Sequence, residues 1–331
     1  MNPDYIKRLV KNPSIRMVIS KVLDGNRLTV DDGILLMKKT ETGVLGMLAG
    51  HIAEIRNIER KKKQVFPVLI TEDCKYKCPA CQYAHAENEG STADKNALLN
   101  ELKEAADVDE IIISSGVSNQ INISFLVDLI SSIKRQNPGQ KIKGLRAIQI
   151  YDLAHREGVK PLNILEKLKG AGLDGLLGGD ALIFRDEMRR KMQDYELSKQ
   201  QWLDLHQQAH ETGYLTDASM TYGHFESVED RLRHLENIRD LQDKTGRFDG
   251  FIPIKFRADS GISKFIPATS GLEDMRVFAV SRIFLDNIQD VDALTIIGDE
   301  GWQEVLRFGA NRVTIAHPNS TKYLPQYGTL F

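Results

Sequence analysis

Cys74, Cys78 and Cys81 are the only cysteines in this 331-residue chain, and they fall within eight consecutive residues. An odd, clustered set is a poor disulfide framework and reads as a metal or cluster site. The spacing is C-x3-C-x2-C, and three thiolates ligate three irons of a cubane [4Fe–4S] cluster, leaving the fourth iron open to a bound molecule. Zinc is the alternative, because His85 follows Cys81 by four residues, so that Cys74, Cys78, Cys81 and His85 could close a Cys3His site. Structural zinc sites more often use two ligand pairs separated by a loop.

A cluster site needs elements to position it. Short β-branched and aliphatic runs at 65–70, 110–115, 144–150, 173–177, 215–221, 250–256, 293–297 and 312–315 predict strands. Helices are predicted between them at 98–106, 123–136, 161–171, 199–212, 227–241, 272–287 and 302–308. Strands that alternate with helices imply a parallel sheet with crossovers, and eight such units over about 250 residues suit a closed (β/α)8 TIM-type barrel. An open doubly wound sheet is the runner-up, but it calls for a glycine-rich phosphate loop that is missing here. The cysteines follow the first strand, on the loop that opens at the catalytic face of a barrel. Residues 1–64 read as a helical N-terminal extension with helices over 3–22, 29–37 and 43–61, residues 65–317 as the α/β barrel, and 318–331 as a turn-rich tail.

The C-x3-C-x2-C motif after a first strand resembles the radical S-adenosylmethionine (SAM) superfamily. Trp202-Leu203-Asp204-Leu205-His206, Ala209-His210-Glu211-Thr212-Gly213 and Ala218-Ser219-Met220-Thr221-Tyr222-Gly223-His224-Phe225-Glu226 are similar to the futalosine-pathway branch. That branch contains aminofutalosine synthase and cyclic dehypoxanthine futalosine synthase, with the FO synthase subunit related to it. Gly178-Gly179-Asp180-Ala181-Leu182-Ile183-Phe184 and Glu229-Asp230-Arg231 extend the likeness, which runs from about residue 65 to 310. The resemblance implies that the open iron chelates the amino and carboxylate groups of SAM, and that the bound cofactor supplies an adenosyl radical. It further implies radical addition to, or hydrogen abstraction from, a small carboxylate substrate, in the manner of aminofutalosine synthase in menaquinone biosynthesis. Biotin-synthase-like or hydrogenase-maturation-like chemistry is the alternative within the superfamily. A zinc-stabilised binding protein is the alternative outside it.

Cys74, Cys78 and Cys81 are the expected metal ligands. Ser115 and Gly116, at a strand end, are expected to hold the SAM amino group, or else to form an ordinary tight turn. Asp180 is expected on a ribose hydroxyl or the methionine amine, or as a helix N-cap. Tyr76, Tyr83 and Thr221 complete the expected cofactor-binding set. Catalytic candidates are His224, as a carboxylate contact or proton carrier, and Arg146 and Arg257, as cations that would grip a carboxylate. Arg146 and Gln149 are expected on the third strand, where an inward arginine needs an anionic partner. Lys255 and Arg257 share a facing, and could instead pair with Asp217, Asp249 or Asp259. His206 and His210 stand four apart on one helix, a spacing that can bind zinc but here reads as packing.

Hydrophobic residues make up 41% and charged residues 27%, with a net charge of -2, so no general grip on nucleic acid follows. The dense basic run Arg60-Lys61-Lys62-Lys63 reads as a solvated helix end. The first 22 residues interleave charges with apolar side chains, and no run reaches the roughly 18 apolar residues of a membrane span. A cytoplasmic protein is expected, with a small-molecule substrate, an electron donor such as flavodoxin or ferredoxin, and no nucleic-acid or membrane partner.

Overall fold

A computed structural model describes residues 3–79, 81, 83, 92–105, 107–256, 266–267, 269–294 and 302–323. Eight parallel strands form one sheet: β1 (Lys61–Leu69), β2 (Glu110–Ser114), β3 (Lys141–Gly144), β4 (Gly175–Leu176), β5 (Leu215–Tyr222), β6 (Phe248–Lys255), β7 (Asp292–Leu294) and β8 (Arg312–Ala316). Their order is β6-β5-β4-β3-β2-β1-β8-β7. Among the described residues a parallel bridge, Phe251 to Val291, brings the two edges together, so the barrel is nearly closed.

Side chains two apart on a strand share a face, and this parity sorts the barrel. Phe66, Val68, Ile111 and Ile113 pack into the main apolar core that the outer helices cover. Val65, Ile112, Leu177, Ile252, Ile254 and Leu294 form a separate apolar layer inside. Below that layer, near the strand starts, the interior is ionic. Lys143 Nζ lies 2.9 Å from Asp217 and 2.8 Å from Asp249, and Lys63 lies 2.7 Å from Glu110. Arg312 reaches Asp292 at 2.7 Å and Asp249 and Asp290 at 3.1 Å. Burial works against these charges, yet the surrounding cations hold Asp249 and Asp292 below the ordinary carboxylate range. The run Arg60–Lys63 is therefore not a helix end. Lys61 to Lys63 open β1, and Lys63 is buried in this network.

Helices α1 (Pro3–Leu9), α2 (Pro13–Leu23), α3 (Val30–Lys39) and α4 (Thr42–Ile55) precede the barrel, and those on it are α5 (Lys95–Glu101), α6 (Ile123–Gln136), α7 (Ala147–Glu157), α8 (Pro161–Ala171), α9 (Asp186–Met192), α10 (Lys199–Glu211), α11 (Val228–Thr245), α12 (Gly271–Phe284) and α13 (Trp302–Val305). The strand predicted at 144–150 is corrected: β3 ends at Gly144, Leu145 takes a positive φ of 64°, and α7 begins at Ala147. Arg146 and Gln149 thus sit at a helix start, where Gln149 Oε1 accepts the Arg146 backbone N–H at 2.9 Å. Residues 3–22 form two helices in place of one. Pro3–Leu9 is followed by Pro13–Leu23, whose N-cap Asn12 accepts from Ser14 and Ile15 N–H. Val30–Lys39 has the expected Thr29 cap, with Asp32 completing a capping box. Thr42–Ile55 ends before the basic run. This N-terminal layer packs on α11 and α12, and Arg276 of α12 donates to the Thr40 carbonyl at 2.7 Å and the Met37 carbonyl at 3.0 Å. Among the described residues no helix is long and apolar enough to cross a membrane.

Candidate active site

The three cysteines border an open cleft of about 640 Å³ at the C-terminal end of the barrel, together with Tyr76, Arg146, Asp180, Gln193, Tyr195, Ser219, Thr221 and Ile254. The loop after β1 is held there by the loop after β2. Lys75 N–H donates to the Val117 carbonyl at 2.9 Å, and Gly116 N–H to the Thr71 carbonyl at 2.8 Å. A Cβ on Gly116 would stand 2.1 Å from the Asp73 carbonyl oxygen and 3.1 Å from Cys74 Cβ, so only glycine lets the cysteine loop come this close. Ser115 Oγ donates to the Gly116 carbonyl at 2.8 Å.

Two of the sulfurs accept backbone hydrogen bonds: Cys74 Sγ from Val117 N–H at 3.4 Å, and Cys78 Sγ from Asp194 N–H at 3.3 Å. Burial pushes the Cys78 thiol up to about 12, so a bound cation is needed to keep it a thiolate. Among the described residues no three His, Cys, Asp or Glu side chains converge to hold a single metal ion. Thiolates of a cubane bind three different irons and can stand further apart. The donor set and the glycine-made cradle therefore fit a cluster. His85, the fourth ligand of the zinc alternative, lies outside the described residues.

Asp180 is the polar centre of the far wall. It follows β4 with a positive φ of 66°, a conformation that aspartate tolerates better than most residues. Its Oδ1 accepts from Arg146 Nη1 at 3.0 Å and Tyr195 Oη at 2.6 Å, and its Oδ2 from Ile148 N–H at 3.0 Å. Asp180 thus caps the start of α7 rather than the helix that follows it in sequence. Burial opposes the Arg146 charge, but Asp180, Tyr195, Cys81 and Tyr83 together outweigh it and keep the guanidinium more firmly protonated than usual. Burial raises the Tyr195 phenol, and Asp180 raises it further. Tyr76 faces Tyr195 with ring centres 5.1 Å apart, and Tyr83 is buried with its hydroxyl 3.3 Å from Ser114 Oγ.

The other candidates are placed differently. His224 does not line the cleft; its buried ring lies 3.1 Å from the Thr221 carbonyl and 3.2 Å from Glu226, and burial lowers its pKa. Lys255 pairs with Asp274 at 2.7 Å, a partner not foreseen. Arg257 lies outside the described residues. His206 and His210 both hydrogen-bond Thr216 Oγ1, at 3.0 and 2.7 Å, and are packing residues. Gln193, Asp194 and Tyr195 were missed in the sequence, since they form no motif and α9, which carries them in, is short and charged.

The sequence profile of the Radical SAM superfamily matches residues 68–238. An aminodeoxyfutalosine synthase of Thermus thermophilus is 32% identical over 297 residues, covering 86% of this chain and 79% of that protein. The chain belongs to the radical SAM superfamily. As a radical SAM enzyme it uses a [4Fe–4S] cluster and SAM. A cyclic dehypoxanthine futalosine synthase of Halalkalibacterium halodurans is 28% identical, over 90% of this chain and 82% of that one. A 5-amino-6-(D-ribitylamino)uracil–L-tyrosine 4-hydroxyphenyl transferase of Methanoculleus marisnigri is also 28% identical, over 90% and 85%. Two solved structures share the fold: the hydrogenase maturase HydG, with TM-score 0.77 and 16% identity over 99% of this chain and 75% of that one, and methylornithine synthase PylB, with TM-score 0.72 and 17% identity over 89% and 84%. The radical SAM barrel is thus the fold of this chain.

Proposed function

We propose that this radical SAM enzyme acts on a small unsaturated carboxylate by radical addition, in the manner of an aminofutalosine synthase. One observation carries the proposal: the cysteines share their cleft with Arg146, a buried guanidinium that uses one of its five N–H donors on Asp180 among the described residues. The donors left over suit a carboxylate, whose grip fixes the orientation of the double bond. The similarity to the Thermus thermophilus synthase favours the same class.

In this scheme Cys74, Cys78 and Cys81 hold the cluster, and Ser115, Gly116, Tyr76, Tyr83, Asp180 and Thr221 surround SAM. With both bound, reductive cleavage of the sulfonium supplies a 5′-deoxyadenosyl radical. Asp180 orients Arg146 and, through Tyr195, steadies the wall opposite the cysteines. His224 supports the Thr221 carbonyl from behind, and Arg257 is a second cation for the substrate. An electron donor of the flavodoxin or ferredoxin type and a cytoplasmic location complete the scheme.

The test is product analysis. Anaerobically reconstituted, reduced protein is incubated with SAM and aryl enol ethers of the benzoate type. Addition predicts a product that carries the adenosyl group, with methionine and carbon dioxide released in equal amounts. Free 5′-deoxyadenosine without the adduct assigns hydrogen abstraction and overturns the addition chemistry.

A further inference from the structure

Residues 193–195, between α9 and α10, touch the cysteine loop from 116 positions away in sequence. Asp194 meets two successive residues of that loop, Lys77 and Cys78. Its backbone N–H donates to Cys78 Sγ at 3.3 Å, and its Oδ2 accepts Lys77 N–H at 2.9 Å. The two bonds run in opposite directions, so they fix both the position and the rotation of the Lys77–Cys78 unit.

The segment is built to hold that position. Arg189 of α9 is buried and pairs with carbonyls rather than a carboxylate: its Nη1 donates to Ala181 at 2.6 Å, and its Nε and Nη2 to Leu197 at 3.0 and 2.7 Å. Gln193 Nε2 donates to the Tyr195 carbonyl at 3.1 Å. Tyr195 reaches across to Asp180 at 2.6 Å and packs its ring on Tyr76. Each end of the segment is thus tied to a different part of the site.

We propose that Asp194 is a positioning residue for the iron–sulfur cluster: its carboxylate sets the orientation of Cys78, and its N–H eases reduction of the cluster. A donor to a ligating sulfur draws off negative charge, which stabilises the reduced cluster more than the oxidised one and makes the potential less negative. The proposal rests on Cys78 being a cluster ligand.

The test uses the full chain, reconstituted without oxygen. The readouts are the midpoint potential, the rate of iron loss to a chelator, and melting of the apo-protein as a control for folding. Asp194→Ala keeps the N–H but frees Lys77, and iron loss should be faster by about fivefold, the equilibrium worth of one hydrogen bond. Asp194→Asn, whose side-chain oxygen can still accept from Lys77, should restore the wild-type rate. Asp194→Pro also removes the N–H, and its potential should be more negative than that of Asp194→Ala. Wild-type potential and iron retention in both the Ala and Pro variants would overturn the proposal. If the proline variant does not fold, equal iron loss in the Ala, Asn and wild-type proteins overturns it alone. Retention of a full cluster by Cys78→Ala would instead remove the ligand assignment beneath it.

Discussion

Replacing Asp180 by asparagine isolates one charge at the far wall of the cleft. The amide keeps the shape of the carboxylate and tolerates the positive φ of 66° equally well. What it loses is the negative partner of Arg146, 3.0 Å away, where the side chains are 0% and 13% exposed. At that distance the attraction is about 5 kcal/mol for an effective dielectric near 20. Stranding one member of such a buried pair costs roughly 3–5 kcal/mol. The amide also brings an NH2 group to a site that now receives only donors, from Arg146, Tyr195 and the Ile148 backbone. A loss of about 3 kcal/mol is therefore expected. Urea unfolding of the apo-protein can follow it through Trp202, a buried side chain whose Nε1 donates to the neighbouring Gly179 carbonyl at 3.1 Å. The unpaired guanidinium should then seek an anion. Benzoate at a hundred times its dissociation constant from the variant would return about 2.7 kcal/mol to it, and somewhat less to the wild type, where Asp180 takes one donor of the fork. A loss below about 1 kcal/mol, the range of exposed pairs, would refute the buried-pair account. Stabilisation of neither protein by benzoate would refute the anion site.

Acid should destabilise the barrel before its carboxylates titrate. Burial lowers His206 well below its ordinary range, His210 to about 4 and His234 to about 3, whereas unfolded histidines protonate near 6.5. The unfolded chain therefore binds more protons as pH falls from about 6.5 towards 4, and stability should drop by up to about 1.4 kcal/mol per pH unit for each histidine. Equal urea midpoints at pH 7 and 5 would contradict this, and His210→Gln should flatten the slope. Gly116→Ala should lower iron content after reconstitution while leaving apo-protein melting near wild type, because the 2.1 Å clash falls on the Asp73 carbonyl and not in the core. A full cluster in that variant would show that the loop has room to shift.

Sequence patterning revealed the elements whose two faces differ. Helices such as α6 and α8 carry their periodicity plainly, whereas β2, buried along its whole length, shows only as a short β-branched run, and the cysteine motif falls at the end of β1 as expected. Residues 144–150 misled because Leu145, Ile148 and Ile150 are all buried, and an apolar run of that length does not separate a strand from the first turns of a helix. The decisive residue is Leu145, whose positive φ has no signal in its side chain. The basic run at Lys61–Lys63 misled for a different reason. Its solvation was inferred from charge density, but Glu110 and Asp249, which neutralise Lys63, come from β2 and β6. Tyr195 and Asp194 acquire their roles only from contacts with Asp180 and Cys78, which no local pattern encodes.

The same ambiguity bears on every cation the sequence offered as a substrate clamp. A buried arginine or lysine needs an oxygen partner, and the chain can supply that partner itself. Near the strand starts it does so with several carboxylates for each cation. Lys143 meets Asp217, Asp249 and, at 3.4 Å, Glu110, and Arg312 shares Asp249 and adds Asp290 and Asp292, in a region remote from the cysteines. Lys255, near the open end, is taken up by Asp274 in the same way. Arg146 differs in proportion rather than in kind. Its carboxylate partner is already saturated by a phenol and a backbone N–H, while the guanidinium fork retains donors beside the cleft. A fully matched pair stabilises the fold and has nothing left for a ligand, whereas a pair whose acid is filled before its base holds the base in place and leaves it able to bind. Arg146 is therefore a better candidate than Lys255 for contact with substrate, and Asp180 shapes that contact without competing for all of it.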